Sequence, residues 1–82
     1  MNEAIKVFWQ PHWTSCLRVK DYLSVRGIEF DSINVLEESG MEKLRRIGAR
    51  TVPVVSRGNK FVFAQVIRDV VDFLELEDDT TP

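Results

Sequence analysis

The chain has 82 residues, of which 44% are hydrophobic and 29% are charged, and its formal net charge is −2. This length fits one domain near the lower limit for independent folding. The small negative charge gives no reason to expect nucleic acid or an anionic membrane as a partner, and no apolar run approaches the ~18 residues of a membrane span. A single cysteine excludes an internal disulfide and a multi-cysteine zinc site.

The two ends of the chain predict a location and a domain boundary. The first residues lack a basic region followed by an apolar stretch, so no signal peptide is expected. A small chain with one cysteine is typical of the reducing cytosol, so we expect a cytoplasmic protein. We assign residues 1–76 to one domain and residues 77–82 to an acidic disordered tail, because the tail has nothing to bury.

The first half of the chain predicts a strand, a helix and a second strand. Residues 4–10 are almost continuously apolar, which favours a strand buried on both faces. Residues 14–26 have the pattern of an amphipathic helix, with Thr14 or Ser15 as its N-cap. Residues 29–35 form the second strand. Because a helix connects the two strands, they should run parallel.

The second half predicts a helix, a hairpin and a closing helix. Residues 39–47 form the helix, and Gly48 ends it. Two short strands flank the turn 57–60, and Pro53 belongs at the start, edge or bulge of the first of them. The closing helix spans residues 65–76. The order β-α-β-α-β-β-α predicts an α/β fold in which helices cover both faces of a four-stranded mixed sheet.

Cys16 lies where the first strand leads into the first helix. A helix N-terminus favours thiolate, so Cys16 could be reactive, but free cysteines are also among the most buried residues. His12 could activate the thiol through an ion pair or could simply be solvated. Trp13 could contact a partner or could cover apolar surface. The residues alone leave these alternatives open.

Three segments carry a family resemblance. They are the turn from Gln10 to Cys16 with Lys20 four residues later, the tripeptide Thr51-Val52-Pro53, and residues 61–65 before the last helix. Together they resemble the glutaredoxin branch of the thioredoxin fold over about residues 5–76. The resemblance implies a thioredoxin-like fold and thiol–disulfide redox chemistry. Glutathione is the cosubstrate that it implies, with no bound cofactor and no metal.

The resemblance also implies a departure from the family's active site. Glutaredoxins have Cys-x-x-Cys followed by three residues and often a lysine, so Lys20 places Cys16 at the second, resolving cysteine. Trp13 then stands at the first, nucleophilic position. We therefore expect weak or no dithiol activity, and at most a monothiol glutathione-dependent oxidoreductase that uses Cys16.

The alternatives to an enzyme are binding modules. One is a redox-inactive member that binds a thiol compound or a partner protein beside Val52, Pro53 and Trp13. Another is an interaction module with Trp13 as its anchor and no small ligand. The expected partners are therefore glutathione or a protein thiol or disulfide, without nucleic acid or membrane.

The remaining site residues are implied by the resemblance alone. It makes Pro53 cis, and it makes the Val52 backbone the partner of the cysteinyl part of glutathione, with Thr51 alongside. Gln65 stands near the place where the family binds the γ-glutamyl carboxylate at a helix N-terminus. Gln10 stands where a lysine often contacts the glycyl carboxylate. The charge that is missing there could come from Arg45, Arg46 or Arg50.

Overall fold

The computed structural model describes residues 4–75, and its order of elements confirms the predicted one. The predicted acidic tail, residues 77–82, lies outside the described residues. None of the helices within residues 4–75 is long and apolar enough to cross a membrane. The elements are β1 (Ile5–Trp9), α1 (Thr14–Val25), β2 (Asp31–Asn34), α2 (Glu38–Arg46), β3 (Val54–Arg57), β4 (Lys60–Phe63) and α3 (Ile67–Leu74).

The four strands form one mixed sheet in the order β2-β1-β3-β4. β1 and β2 are parallel, as a helical connection requires, and β3 is antiparallel to both β1 and β4. β1 is an inner strand, so both of its edges are hydrogen-bonded to neighbouring strands, and both of its faces are buried as well. Val7 and Phe8, which point to opposite faces, are 0% and 1% exposed.

Two apolar clusters lie on the two faces of this sheet. Their separation confirms that helices cover both faces of the four-stranded sheet. The cluster on the α2 side contains Phe8, Cys16, Ile33, Val35, Leu44, Ala49, Val52 and Val54. The cluster below α1 and α3 contains Val7, Val19, Leu23, Val55, Ala64, Val70 and Leu74.

A close contact at Gly40 holds α2 against the end of β2. A Cβ at this position would lie 2.9 Å from the carbonyl carbon of Asn34 and 3.2 Å from Cγ2 of Ile33, and it would collide with the Asn34 carbonyl oxygen. Only a residue without a side chain allows the helix to come this near. Gly40 therefore sets the depth at which α2 packs.

The start of α1 differs from the prediction. Its N-cap is Trp13, which has an extended backbone (φ −100°, ψ 110°) and provides no side-chain cap. The predicted N-cap at Thr14 or Ser15 is wrong, because Thr14 is already the first helical residue. The end of α1 agrees with the pattern of a helix stop, since Gly27 follows it with φ +73°.

The closing helix starts two residues later than predicted. It begins at Ile67, because Val66 has an extended backbone with φ −123° and ψ 155°. The backbone N–H of Ala64 donates a hydrogen bond of 2.8 Å to the carbonyl oxygen of Pro53, which keeps this segment outside the helix. Gln65 therefore lies in the connection between β4 and α3 and not in the helix itself.

Candidate functional site

Backbone hydrogen bonds hold the turn between β1 and α1. The N–H of Trp13 donates to the carbonyl of Gln10 at 3.4 Å, and the N–H of Cys16 donates to the carbonyl of Trp13 at 3.1 Å. His12 has φ +74°, a left-handed conformation that is uncommon outside glycine. Main-chain bonds therefore hold the turn, and the Trp13 side chain makes no cap hydrogen bond in it.

The Cys16 thiol is enclosed by the protein. Its side chain is 0% exposed and belongs to the same apolar cluster as Phe8 and Val52. Burial raises the pKa of the Cys16 thiol, and it outweighs the backbone hydrogen bond from Gln10 and the positive charge of Lys20, which both lower that pKa. The thiol is therefore protonated at neutral pH and out of contact with solvent, unlike an attacking cysteine.

Trp13 has the opposite environment. Its side chain is 42% exposed, and Leu17, one helical turn later, is 47% exposed. The position three residues before Cys16 therefore presents aromatic surface to solvent and supplies no thiol. Exposed tryptophan is well suited to contact a partner, because it offers a large apolar area and an N–H donor.

The loop before β3 contains the other predicted site residues. Val52 is 3% exposed, Pro53 is fully buried, and Thr51 is exposed. The peptide bond between Val52 and Pro53 is cis. The hydrogen bond between Ala64 and Pro53 brings the segment that holds Gln65 to this loop, and Gln65 is exposed.

Val52 can present only its backbone to a ligand. Its side chain points into the cluster that also contains Cys16. Within residues 4–75, neither the N–H nor the carbonyl oxygen of Val52 has a hydrogen-bond partner. Free main-chain groups at this position can pair with an extended ligand in the manner of an added strand.

Sequence reasoning missed a contact between Trp9 and Lys20. The Lys20 Nζ atom lies 3.6 Å from the centroid of the Trp9 ring, which is a cation–π contact. The Trp9 Nε1 atom is buried without a hydrogen-bond partner in the described part of the chain. The four-residue spacing of Cys16 and Lys20 indicates only that both side chains lie on one side of α1.

The three arginines named as possible carboxylate partners differ in their surroundings. All three are exposed. Arg46 forms an ion pair with Glu42 on the surface of α2, with 3.5 Å between nitrogen and oxygen. Arg50 directly precedes the loop Thr51-Val52-Pro53 that leads into β3, called the proline loop.

Comparison with known proteins agrees with this arrangement. The family model for Glutaredoxin matches residues 5–62. A comparison with curated proteins found no match.

Three solved structures are similar to the chain. A point mutant of the thioredoxin-like protein BC3987 is 21% identical with a TM-score of 0.76, over 85% of this chain and 97% of that one. The glutaredoxin from Archaeoglobus fulgidus is 22% identical with a TM-score of 0.73, over 88% and 86% of the two chains. The glutaredoxin-like protein NrdH-redoxin from Escherichia coli is 26% identical with a TM-score of 0.70, over 92% and 99%. The chain thus has a thioredoxin-like fold and belongs to the glutaredoxin family.

Proposed function

We propose that this glutaredoxin-family chain has weak or no dithiol oxidoreductase activity and binds a thiol compound or a partner protein beside Val52, Pro53 and Trp13. The burial of Cys16, with 0% of its side chain exposed, carries this proposal. Exchange begins when an accessible thiolate attacks a disulfide sulfur. The exposed position of the turn holds Trp13, which cannot make that attack.

The surface around the proline loop supports binding of an extended thiol compound such as glutathione. The unpaired backbone of Val52 can exchange hydrogen bonds with a peptide-like ligand. Gln10 and the exposed Gln65 carry amide groups that can donate to carboxylates. None of these contacts needs a reactive cysteine, so binding can persist without catalysis.

A monothiol glutathione-dependent oxidoreductase is the second candidate function. It is favoured by the Gln10 backbone hydrogen bond and the Lys20 charge, which both lower the pKa of Cys16. Because burial has the larger, opposite effect, this function requires the turn to open and expose the thiol. Either candidate suits a cytoplasmic protein, since a reducing compartment keeps a single thiol free.

Thiol alkylation distinguishes the two candidates. We expect native protein at neutral pH to resist iodoacetamide and urea-unfolded protein to react at the rate of an ordinary cysteine. A matched control carries Ser24→Cys in a Cys16→Ala background, because Ser24 is exposed on the same helix. Rapid native labelling of Cys16, comparable with that control, would contradict an enclosed, unreactive thiol and favour the monothiol enzyme.

A glutathione titration followed by amide NMR tests the binding surface. Signals of Val52 and Gln65 should shift, and S-methylglutathione should produce similar shifts because no disulfide is needed. Cys16→Ala should leave the shifts intact, whereas Trp13→Ala should reduce them. If glutathione shifts no amide of the turn or the proline loop, the thiol-compound part of the proposal is wrong and only a partner protein remains.

A further inference from the structure

The edge strand β4 has two features that the candidate site does not use. The order β2-β1-β3-β4 leaves one side of β4 without a neighbouring strand. Phe61 and Phe63 are 38% and 41% exposed, and they share one face because side chains alternate along a strand. Exposed aromatic residues on an open edge favour pairing with another strand.

The hairpin determines which backbone groups of β4 face outward. Arg57 and Lys60 close a two-residue loop, so they form a hydrogen-bonded pair. By the alternation of an antiparallel ladder, Val62 is the next residue of β4 that bonds to β3. Phe61 and Phe63 therefore point their N–H and carbonyl groups away from β3. In the described part of the chain, these groups have no other hydrogen-bond partner.

We propose that this edge pairs with β4 of a second copy of the chain, antiparallel, with Phe61 opposite the partner's Phe63. This register uses every outward-facing group, because two such pairs exchange two hydrogen bonds each. It also sets aromatic side chains opposite each other on one face, an arrangement that stabilises antiparallel pairs. Val62 then lies opposite the partner's Val62 on the other face.

The charge pattern suits a second copy, and the small area limits the strength of the pairing. Lys60 is the charged residue of β4, and it falls opposite the neutral Ala64 of the partner, so no like charges face each other. An interface of two four-residue strands is smaller than the ~1,200 Å² of a stable complex. The dimer is therefore weak and depends on concentration. A self-complementary edge of this kind gives a closed two-fold dimer.

The proposed pairing uses β4 and does not involve Trp13, Val52 or Pro53. In the antiparallel arrangement, the two sheets join into one of eight strands, and the two copies of Trp13 lie towards its opposite ends. The pairing therefore stands independently of the proposed function. Loss of the dimer should leave the contacts of Trp13 and Val52 with a ligand in place.

Sedimentation equilibrium from about 10 μM to about 1 mM tests the pairing, a range that covers weak affinities. The average mass of the unaltered chain should rise towards twice the monomer mass. Phe61→Lys should remain monomeric throughout, because it adds charge to the edge. Met41→Lys is the matched control, since Met41 is 39% exposed on α2, and it should still dimerise. An unaltered chain that stays monomeric at the highest concentration overturns the proposal.

A cross-linking experiment tests the register itself. Val62→Cys in a Cys16→Ala background places two thiols opposite each other in a non-hydrogen-bonded pair, where Cβ atoms are closest. Copper phenanthroline accepts the two electrons as the thiols join, and the two protons go to solvent. We expect a covalent dimer from this variant and little from Lys60→Cys in the same background. Circular dichroism confirms that both variants fold. Equal cross-linking at both positions, or none at Val62, overturns the register.

Discussion

Trp13 and Cys16 lie three residues apart at the start of α1 and have opposite environments. Cys16 is fully buried in an apolar cluster, whereas Trp13 is 42% exposed and contributes main-chain hydrogen bonds to the turn. Packing therefore constrains the inner position, whereas the outer position contributes main-chain bonds and no side-chain cap to the turn. A glutaredoxin-family chain can therefore keep its fold while a tryptophan stands at the exposed position.

Trp13→Cys gives the largest expected change, because it adds the reacting group that the outer position lacks. The turn closed by the Trp13 carbonyl and the Cys16 N–H places the new thiol about one turn from the buried one, within reach of disulfide geometry. The new thiolate can attack a disulfide sulfur and release a thiolate, and Cys16 can then resolve the mixed disulfide. We expect turnover in a glutathione-coupled disulfide reduction assay, in which the unaltered chain should show little or none.

The double variant Trp13→Cys with Cys16→Ala is the control for this gain. It retains the exposed thiol and lacks the resolving one. When it is treated with oxidised glutathione and no free thiol, it should therefore accumulate as a mixed disulfide that mass spectrometry detects, whereas Trp13→Cys alone should resolve it into an internal disulfide. If Trp13→Cys reacts no faster than the unaltered chain while remaining folded, the alignment of Trp13 with the nucleophilic position is wrong.

Gly40→Ala should disturb the packing of α2 against the apolar cluster that contains Cys16. The added Cβ meets the Asn34 main chain, which cannot move aside like a flexible side chain, so α2 must shift away from Ile33. Overpacking of this kind costs about 1–3 kcal/mol, more than the roughly 0.5–1 kcal/mol that alanine contributes over glycine in a helix. Urea unfolding should show a net loss of stability. Ser39→Ala, at an exposed position of the same helix, should not.

The fold could be predicted because its signals are local. The apolar run of β1 and the glycine that follows α1 marked the first strand and the end of the first helix, and the helical connection between β1 and β2 predicted their parallel pairing. The start of α3 was missed because the apolar pattern extends back to Val66, while the hydrogen bond from Ala64 to Pro53 keeps that segment extended. A long-range bond of this kind leaves no trace in sequence periodicity.

The site could be predicted only as a set of positions. The spacing of Cys16 and Lys20 marked the turn, but it could not tell whether the thiol faces solvent or the core. The exposure of the thiol depends on how α2 and the proline loop pack over Cys16. These contacts join parts of the chain that are distant in sequence. The position of Lys20 over Trp9 likewise depends on how α1 lies against the sheet.

Cys16→Ser tests whether packing constrains the inner position. The hydroxyl would be buried in an apolar cluster, where a polar group without a partner costs about 1–3 kcal/mol. Cys16→Ala removes the same sulfur without adding a polar group and should be less destabilising than the serine variant. Chemical unfolding of the two variants checks the order. A serine variant as stable as the alanine variant would mean that the site admits water.

The stability of the chain should decrease in alkaline solution because of the same thiol. Burial raises the pKa of Cys16 in the folded state, so the folded protein holds this proton more tightly than the unfolded chain. The contribution is complete below the unfolded thiol pKa of about 8.5 and is lost as the pH rises from there towards the folded pKa. Urea midpoints between neutral and alkaline pH measure the loss. Cys16→Ala should show a shallower decline.

Trp13→Ala should have the smallest effect on stability and a clear effect on binding. Substitutions of exposed residues usually change the free energy of unfolding by no more than about 0.5 kcal/mol, and the backbone bonds of the turn do not depend on the indole. A loss of glutathione-induced amide shifts at unchanged stability would assign Trp13 to ligand contact. A large loss of stability would instead mean that the ring holds the turn together, and the outer position would then be constrained by packing like the inner one.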